Sequence, residues 1–283
     1  MEENQTESQT TPKVTTVESM SASKDALTIA GAVLLGCLII SGTLAYISTK
    51  AVKSVATTAN TTADQAAAQP GDATKVTLDQ VKALFTEKNI TFGKKDSKVL
   101  FVEFSDPSCP YCHVASGKNP NLNKQAGAQF TMAKDGGTYL PPVPEMKKLV
   151  DAGKAAFVWL YANGHGNGEL GTQALYCAKE KGKFWEVHDL LMSEAGFKLM
   201  NEQVKNDVTK AGDMADFLKS TVKADEMKAC IESGKYKDRL TSDMAIAQQF
   251  GFKGTPSFFV NTTNFGGAYS YKDMAPVVEK ALQ

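Results

Sequence analysis

No sign of charge dominates this chain of 283 residues: 31 lysines and arginines stand against 31 aspartates and glutamates. Without a surface-wide field, a chain that wraps nucleic acid or another polyanion is excluded. Ten prolines and 22 glycines are too few for a collagenous or wholly disordered polypeptide. Five cysteines are too few for a small scaffold held together by disulfides, and no internal repeat marks a solenoid. What is present, 42% hydrophobic and 22% charged residues, suits one ordinary globular domain with extensions.

One stretch lacks charge altogether. Residues 26–49, between Asp25 and Lys50, read ALTIAGAVLLGCLIISGTLAYIST. At about 1.5 Å per residue this is long enough to cross a hydrocarbon core of roughly 30 Å, and it predicts one transmembrane helix. A cleaved signal peptide has a shorter apolar core close to the start, whereas polar residues 1–25 precede this one. Leu34-Leu35-Gly36-Cys37 loosely resembles a lipid-attachment signal, but cleavage there leaves half the span on the mature chain. Cys37 then reads as a small apolar residue in lipid. Lys13 and Lys24 before the span balance Lys50 and Lys53 after it, so the positive-inside rule does not orient it.

Residues 1–25, rich in Thr, Ser, Glu and Gln, read as a disordered tail, and the Ala/Thr-rich residues 50–75 as a tether. From Val76 to Gln283 helical and strand signals alternate, which points to α/β. Thr77 and Asp79 suit the start of a helix carrying Val81, Leu84 and Phe85. KVLFVEF (98–104), AAFVWLY (155–161) and PSFFV (256–260) are short apolar runs typical of buried strands. Between the last two, residues 171–192 and 202–220 read as helices, the second with Val204, Val208, Ala211, Met214 and Leu218 on one face. A helix with Leu240, Met244, Ala247 and Phe250, a glycine-bearing segment at 266–271, and a helix with Met274, Val277, Val278 and Leu282 follow. The frame is thus α/β with a helical subdomain inserted at about 165–250.

The chemistry concentrates in FSDPSCPYCH (104–113). Two cysteines three positions apart sit at a strand-to-helix junction, with Pro110 at the first helical position. There Cys109 meets the positive end of the helix, which favours thiolate, and Cys112 one turn on resolves a mixed disulfide. The same letters spell a c-type haem attachment motif, Cys-x-x-Cys-His, with His113 as axial ligand. A haem module gives no reason for the apolar strand entering the motif. A structural zinc site needs a second ligand pair, and Cys177 and Cys230 stand apart, so neither metal nor cofactor is expected and His113 reads as a polar residue of the first helical turn. Glu103, alone in an apolar strand, is either a costly accident or a proton relay to Cys112. Pro256 before PSFFV reads as a turn proline or a cis-proline. Cys177 and Cys230 read as buried thiols, or as a disulfide in an oxidising compartment.

FVEFSDPSCPYCHVA, ALYCAKEKGKFWEVHDLLM and IAQQFGFKGTPSFFVN, in this order, resemble the DsbA-like thiol:disulfide oxidoreductases, a thioredoxin fold with a helical insertion. The resemblance covers about residues 76–283. It implies Cys109 as reactive cysteine, Cys112 as its shielded partner, Glu103 as the acid behind the pair, and Pro256 as a cis-proline that faces the cysteines with Thr255 and binds substrate. It implies no cofactor, reduced secreted or membrane proteins as substrates, and a membrane redox partner that reoxidises the pair. Membrane-anchored forms of the family present the domain outside the cytoplasmic membrane, where Cys177 and Cys230 would pair. The chain departs from the family in its Pro-Tyr dipeptide, where Pro-His is usual, and in a longer segment at 119–145. YLPPVPEM (139–146) reads as a rigid surface loop. Oxidation of substrates is the expected direction. Reduction or isomerisation is the alternative within this chemistry; a redox-inert binding or chaperone module and a haem carrier are those outside it.

Overall fold

The computed structural model describes residues 75–283. The tail, span and tether expected over 1–25, 26–49 and 50–75 lie outside the described residues, apart from Lys75. Among the described residues no helix is long and apolar enough to cross a membrane.

A short helix α1 (Leu78–Ala83) opens the fold, started by Thr77, whose side chain accepts from the Gln80 N–H while Gln80 reaches back to the Thr77 N–H. Strands β1 (Ile90–Phe92) and β2 (Val99–Ser105) follow, then α2 (Pro110–Ser116), α3 (Pro120–Gln125), α4 (Pro142–Asp151) and β3 (Ala155–Tyr161). The insertion carries α5 (Glu169–Glu180), α6 (Phe184–Leu191), α7 (Glu194–Lys198), α8 (Ala211–Leu218), α9 (Ala224–Glu232) and α10 (Lys237–Gln249). The chain closes with β4 (Ser257–Val260), β5 (Thr263–Gly266) and α11 (Tyr271–Leu282).

The sheet order is β1-β3-β2-β4-β5, with β2 parallel to β3 and antiparallel to β4. Both central strands are buried along their whole length, which explains their near-continuous apolar runs. Alternation divides those runs between two cores. Phe101, Phe157, Trp159 and Phe258 face the insertion and α11, while Leu100, Val102, Phe104, Val158 and Leu160 pack on α1 and the end of α10. A disulfide joins Cys177 on α5 to Cys230 on α9, with Cα atoms 6.1 Å apart.

Three expectations need correction. The helix expected over 171–192 is two, broken where Gly182 takes a left-handed φ of 66°. The helix expected over 202–220 breaks at Lys205 and Asn206, also left-handed, between a π turn (Leu199–Val204) and α8. YLPPVPEM is no loop throughout, because Pro142 starts α4 and suits that first position.

Candidate active site

The site begins where β2 runs out. Asp106 ends the strand with an Asx turn, its Oδ1 accepting from the Ser108 N–H at 2.8 Å and the Ser108 hydroxyl at 2.7 Å. Its Oδ2 accepts from the Gly164 and His165 N–H groups, both at 2.9 Å. Four donors fix this buried side chain and tie the end of β2 to the loop after β3. That loop comes so close that a Cβ on Gly164 would lie 1.6 Å from Thr255 Oγ1, and one on Gly168 would lie 1.8 Å from Asp106 Oδ1. Only glycine fits either position.

From this anchor the chain enters α2 with Cys109 as N-cap and Pro110 as first helical residue. Cys109 and Cys112 are free thiols, and Cys109 Sγ–H donates to the Thr255 carbonyl at 3.5 Å. The Thr255–Pro256 peptide is cis. Cys109 is 4% exposed and Cys112 fully buried, so both are more enclosed than a first-turn position suggests, and only an edge of Cys109 is reachable. Their environments drive their acidities apart. The Cys112 thiol, donating to Cys109, lowers the Cys109 pKa to about 6 against the opposing effect of burial; Thr255 and the Cys112 and Tyr111 N–H groups add to the lowering. Burial pushes Cys112 well above the ordinary thiol range, and its bond to Cys109 and the charge there push the same way. The Asp106 N–H, donating to Cys112 Sγ at 3.4 Å, offsets this in part.

Glu103 is fully buried on β2 between Trp159 and Phe258 in register. Burial raises its pKa to about 7, opposed by His188 and by Ser105. Ser105 is near enough to favour the ionised form of both Glu103 and Cys112. The Glu103 oxygens and the Ser105 hydroxyl are neighbours that form no direct hydrogen bond with each other.

His113 lies in the first turn of α2, as expected, and is fully buried there. Its Nδ1 faces the Met192 carbonyl at 2.8 Å and its Nε2 the Pro107 carbonyl at 2.7 Å, with Phe197 edge-on to the ring. Burial outweighs the two carbonyls and lowers its pKa to about 4, so at neutral pH the ring donates to one carbonyl only. Both nitrogens face backbone oxygens inside the protein, which leaves neither placed as an axial ligand.

The segment after α3 stacks on the site's rim: Tyr111 meets Phe130, Phe130 meets Tyr139, and the Tyr139 hydroxyl donates to the Tyr269 carbonyl. Tyr111 and Tyr269 are about half exposed. Along the other side, a cleft of about 430 Å³ lined by Lys253, Gly254, Thr255, Pro256, Asn264 and Gly267 runs past the cis peptide without reaching either cysteine.

The fold thus brings Cys109, Cys112, Glu103, Thr255 and Pro256 together and leaves Cys177 and Cys230 apart, as a staple of the insertion. Asp106, Ser105, His188 and Gly164 belong to the site and escaped the sequence reading. Asp-Pro-Ser ahead of the first cysteine is an Asx-turn signal that could have exposed Asp106.

A thioredoxin family model matches residues 144–280. Na(+)/H(+) antiporter NhaA 3 of Salinispora tropica is 24% identical over 72% of this chain, and the match spans 26% of that protein, so the chain covers about a quarter of its length. Disulfide bond formation protein D of Bacillus subtilis is 21% identical over 68% of this chain and 76% of its own. The crystal structure of oxidised BdbD from Bacillus subtilis superposes with a TM-score of 0.51 at 21% identity, covering 69% of this chain and 93% of that one. The fold is DsbA-like: a thioredoxin frame with helices inserted between β3 and β4.

Proposed function

We propose that this DsbA-like chain is a thiol:disulfide oxidoreductase that introduces disulfides into secreted or membrane proteins through the Cys109/Cys112 pair. The observation that carries the reading is the pairing of two free thiols on one helical turn, the first at the N-cap beside the Thr255 carbonyl and the second sealed beneath it. A substrate thiolate attacks Cys109 Sγ, the Cys109–Cys112 bond breaks, and Cys112 leaves as thiolate. A second substrate thiolate then attacks the substrate sulfur of the mixed disulfide, and Cys109 leaves as the stabilised thiolate. The half-buried Thr255 and the edge of its cis peptide with Pro256, which lines the neighbouring cleft, receive the substrate's extended backbone. Glu103 supplies the proton that Cys112 takes up.

Cys177 and Cys230 support a domain outside the cytoplasm, where such a bond persists. The uncharged residues 26–49 act as a membrane anchor, with 1–25 as tail, 50–75 as tether and 76–283 as the catalytic domain. A membrane redox partner returns the pair to the disulfide, and the balanced charge agrees with proteins rather than nucleic acid as substrates. The inward packing of His113 counts against the haem carrier. The test is the equilibrium of the pair against glutathione, with oxidation of a reduced unfolded protein followed in parallel. No exchange at all leaves a redox-inert binding module, and a couple as reducing as thioredoxin's, roughly −270 mV, makes the chain a reductase.

A further inference from the structure

Cys112 gains a proton when the pair is reduced and loses it when the pair is reoxidised, yet it is fully buried, and so is Glu103 behind it. The mouth of the site is closed by bound substrate at those moments. The proton therefore needs a second way to solvent, and the interior face of the sheet carries the groups for one.

Six buried polar atoms there have no hydrogen-bond partner among the described residues: both Glu103 carboxyl oxygens, Ser105 Oγ, Trp159 Nε1, Tyr161 OH and His188 Nε2. They are not scattered. Glu103 pairs with Trp159 and Ser105 with Tyr161 in the parallel register of β2 and β3, so four of these side chains form a block on one face. His188 reaches the same region from α6, its ring stacked on Phe184, which in turn meets the Trp159 ring edge-on. Buried polar groups are as a rule paired with protein or ordered water, and a water bridging this block would find the two to four partners it needs. Beyond the block, His188 Nδ1 lies 3.2 Å from Asp189 Oδ1, and the Asp189 side chain is 41% exposed and paired with Lys118 at the surface.

We propose that Ser105 and His188 form a proton route from Cys112 and Glu103 to Asp189 and solvent, reaching the surface beside α6 rather than past Cys109. The proposal rests on the redox reading above. A neutral His188 that donates from Nδ1 to Asp189 presents Nε2 inward as an acceptor. On reoxidation Cys109 thiolate has attacked a partner disulfide; Cys112 then attacks Cys109 Sγ, its proton passes by way of the Ser105 hydroxyl to the Glu103 carboxylate, and the partner leaves as thiolate. The proton moves on from Glu103 to His188 Nε2, and the Nδ1 proton departs through Asp189. When substrate next reduces the pair, the flow reverses: Nδ1 takes a proton from the Asp189 side, Nε2 gives one inward, and Glu103 protonates the leaving Cys112. One full turnover restores the starting tautomer. The charged and titratable groups around this route are Cys109, Cys112 and His113 on or at the start of α2, Glu103 and Asp106 at β2, Tyr161 on β3, Asp189 on α6, and Lys118 after α2.

The test uses the full chain with His188→Gln, which keeps size and hydrogen bonding but cannot relay a proton, and Asp189→Asn, which lies at the surface and leaves folding intact. Stopped-flow oxidation of the reduced enzyme by a small disulfide is measured from pH 5 to 9 in H₂O and D₂O, beside the equilibrium potential. The expected result is a fall of about tenfold or more in the Cys112-dependent closing step for His188→Gln, a larger solvent isotope effect, a smaller loss for Asp189→Asn, and an unchanged potential. Wild-type rates and isotope effects in both folded variants overturn the route. A wild-type enzyme that does not exchange disulfides overturns the redox reading instead, so the two failures are told apart. Should His188→Gln not fold, the isotope effect of Asp189→Asn alone decides.

Discussion

Cys109 and Cys112 are separated by two residues but fall on opposite sides of the ordinary thiol range, and each shift traces to named contacts. Cys109 is acidic because Cys112, Thr255 and two backbone N–H groups point hydrogens at it; Cys112 is not because burial and its contact with Cys109 outweigh the Asp106 N–H and Ser105 in a sealed space. At pH 7 the reduced protein should therefore react with iodoacetamide at Cys109 first, with Cys112 unmodified until the domain is unfolded, as peptide mapping by mass would show. Equal labelling would contradict the assignment of nucleophile and partner. Glu103 yields a second test. Its pKa is raised from 4.5 to about 7, so folding binds a proton that the unfolded chain gives up above pH 4.5. Its stabilising effect is whole below that value and is lost as pH climbs to about 7. Glu103→Gln should leave stability unchanged at pH 4 and raise it by roughly 2–3 kcal/mol at pH 8, read from urea midpoints. A gain that does not vary with pH would mean that Glu103 is ionised or solvated in the native state.

At the level of elements, what was legible followed from packing that depends on neighbours in sequence. β2 and β3 announced themselves because burial on both faces demands apolar residues at every position but those of the site. The α2 start showed in Pro110. By contrast β5, TNFG, is polar and largely exposed, and β1 is three residues long, so neither carries an alternation to detect. Gly182 did carry a C-cap signal, in Glu-Lys-Gly, that the helical periodicity on either side masked; Lys205 and Asn206 carried almost none. The burial of His113 was not legible because the Met192 carbonyl that holds it lies on another element, 79 residues away in sequence. The insertion offers its own test through the 53-residue separation of Cys177 and Cys230. In the chain-entropy view, opening a loop of that length removes up to about 4 kcal/mol. The double variant Cys177→Ala/Cys230→Ala should unfold at lower urea by 2–4 kcal/mol, on the order of that ceiling, while retaining the acidity of Cys109. The loop after β3 offers another: Gly164→Ala forces Thr255 away from Cys109, and should slow disulfide exchange more than it lowers the melting temperature.

For the whole molecule, the sheet order delivers the parts of the site from distant stretches of chain: β2 brings the cysteines, β3 the glycine loop, and β4 the Thr255–Pro256 peptide, all at one end of the sheet. The cysteine motif could be read alone, but the assembly of that end depends on strand order, which no single segment encodes. The direction proposed for exchange has a measurable counterpart in proton counting. Reducing an ordinary disulfide at neutral pH takes two electrons and two protons, and its potential falls by about 59 mV per pH unit; if one product thiol is ionised, only one proton is taken up and the slope halves to about 30 mV. With Cys109 titrating at about 6 and Cys112 staying protonated, the slope should bend from the steeper to the shallower value near pH 6. The same ionisation stabilises the reduced form at pH 7 by about 1.4 kcal/mol, or about 30 mV, relative to a pair of unperturbed thiols, which is the sense that the proposed donation of the disulfide requires. Redox titration against glutathione from pH 5 to 8.5 measures slope and position together. A break near pH 6 with a potential well above thioredoxin's, roughly −270 mV, supports the donor of disulfides. A steep line throughout, at or below that potential, would show an unperturbed Cys109 and turn the flow of electrons toward reduction.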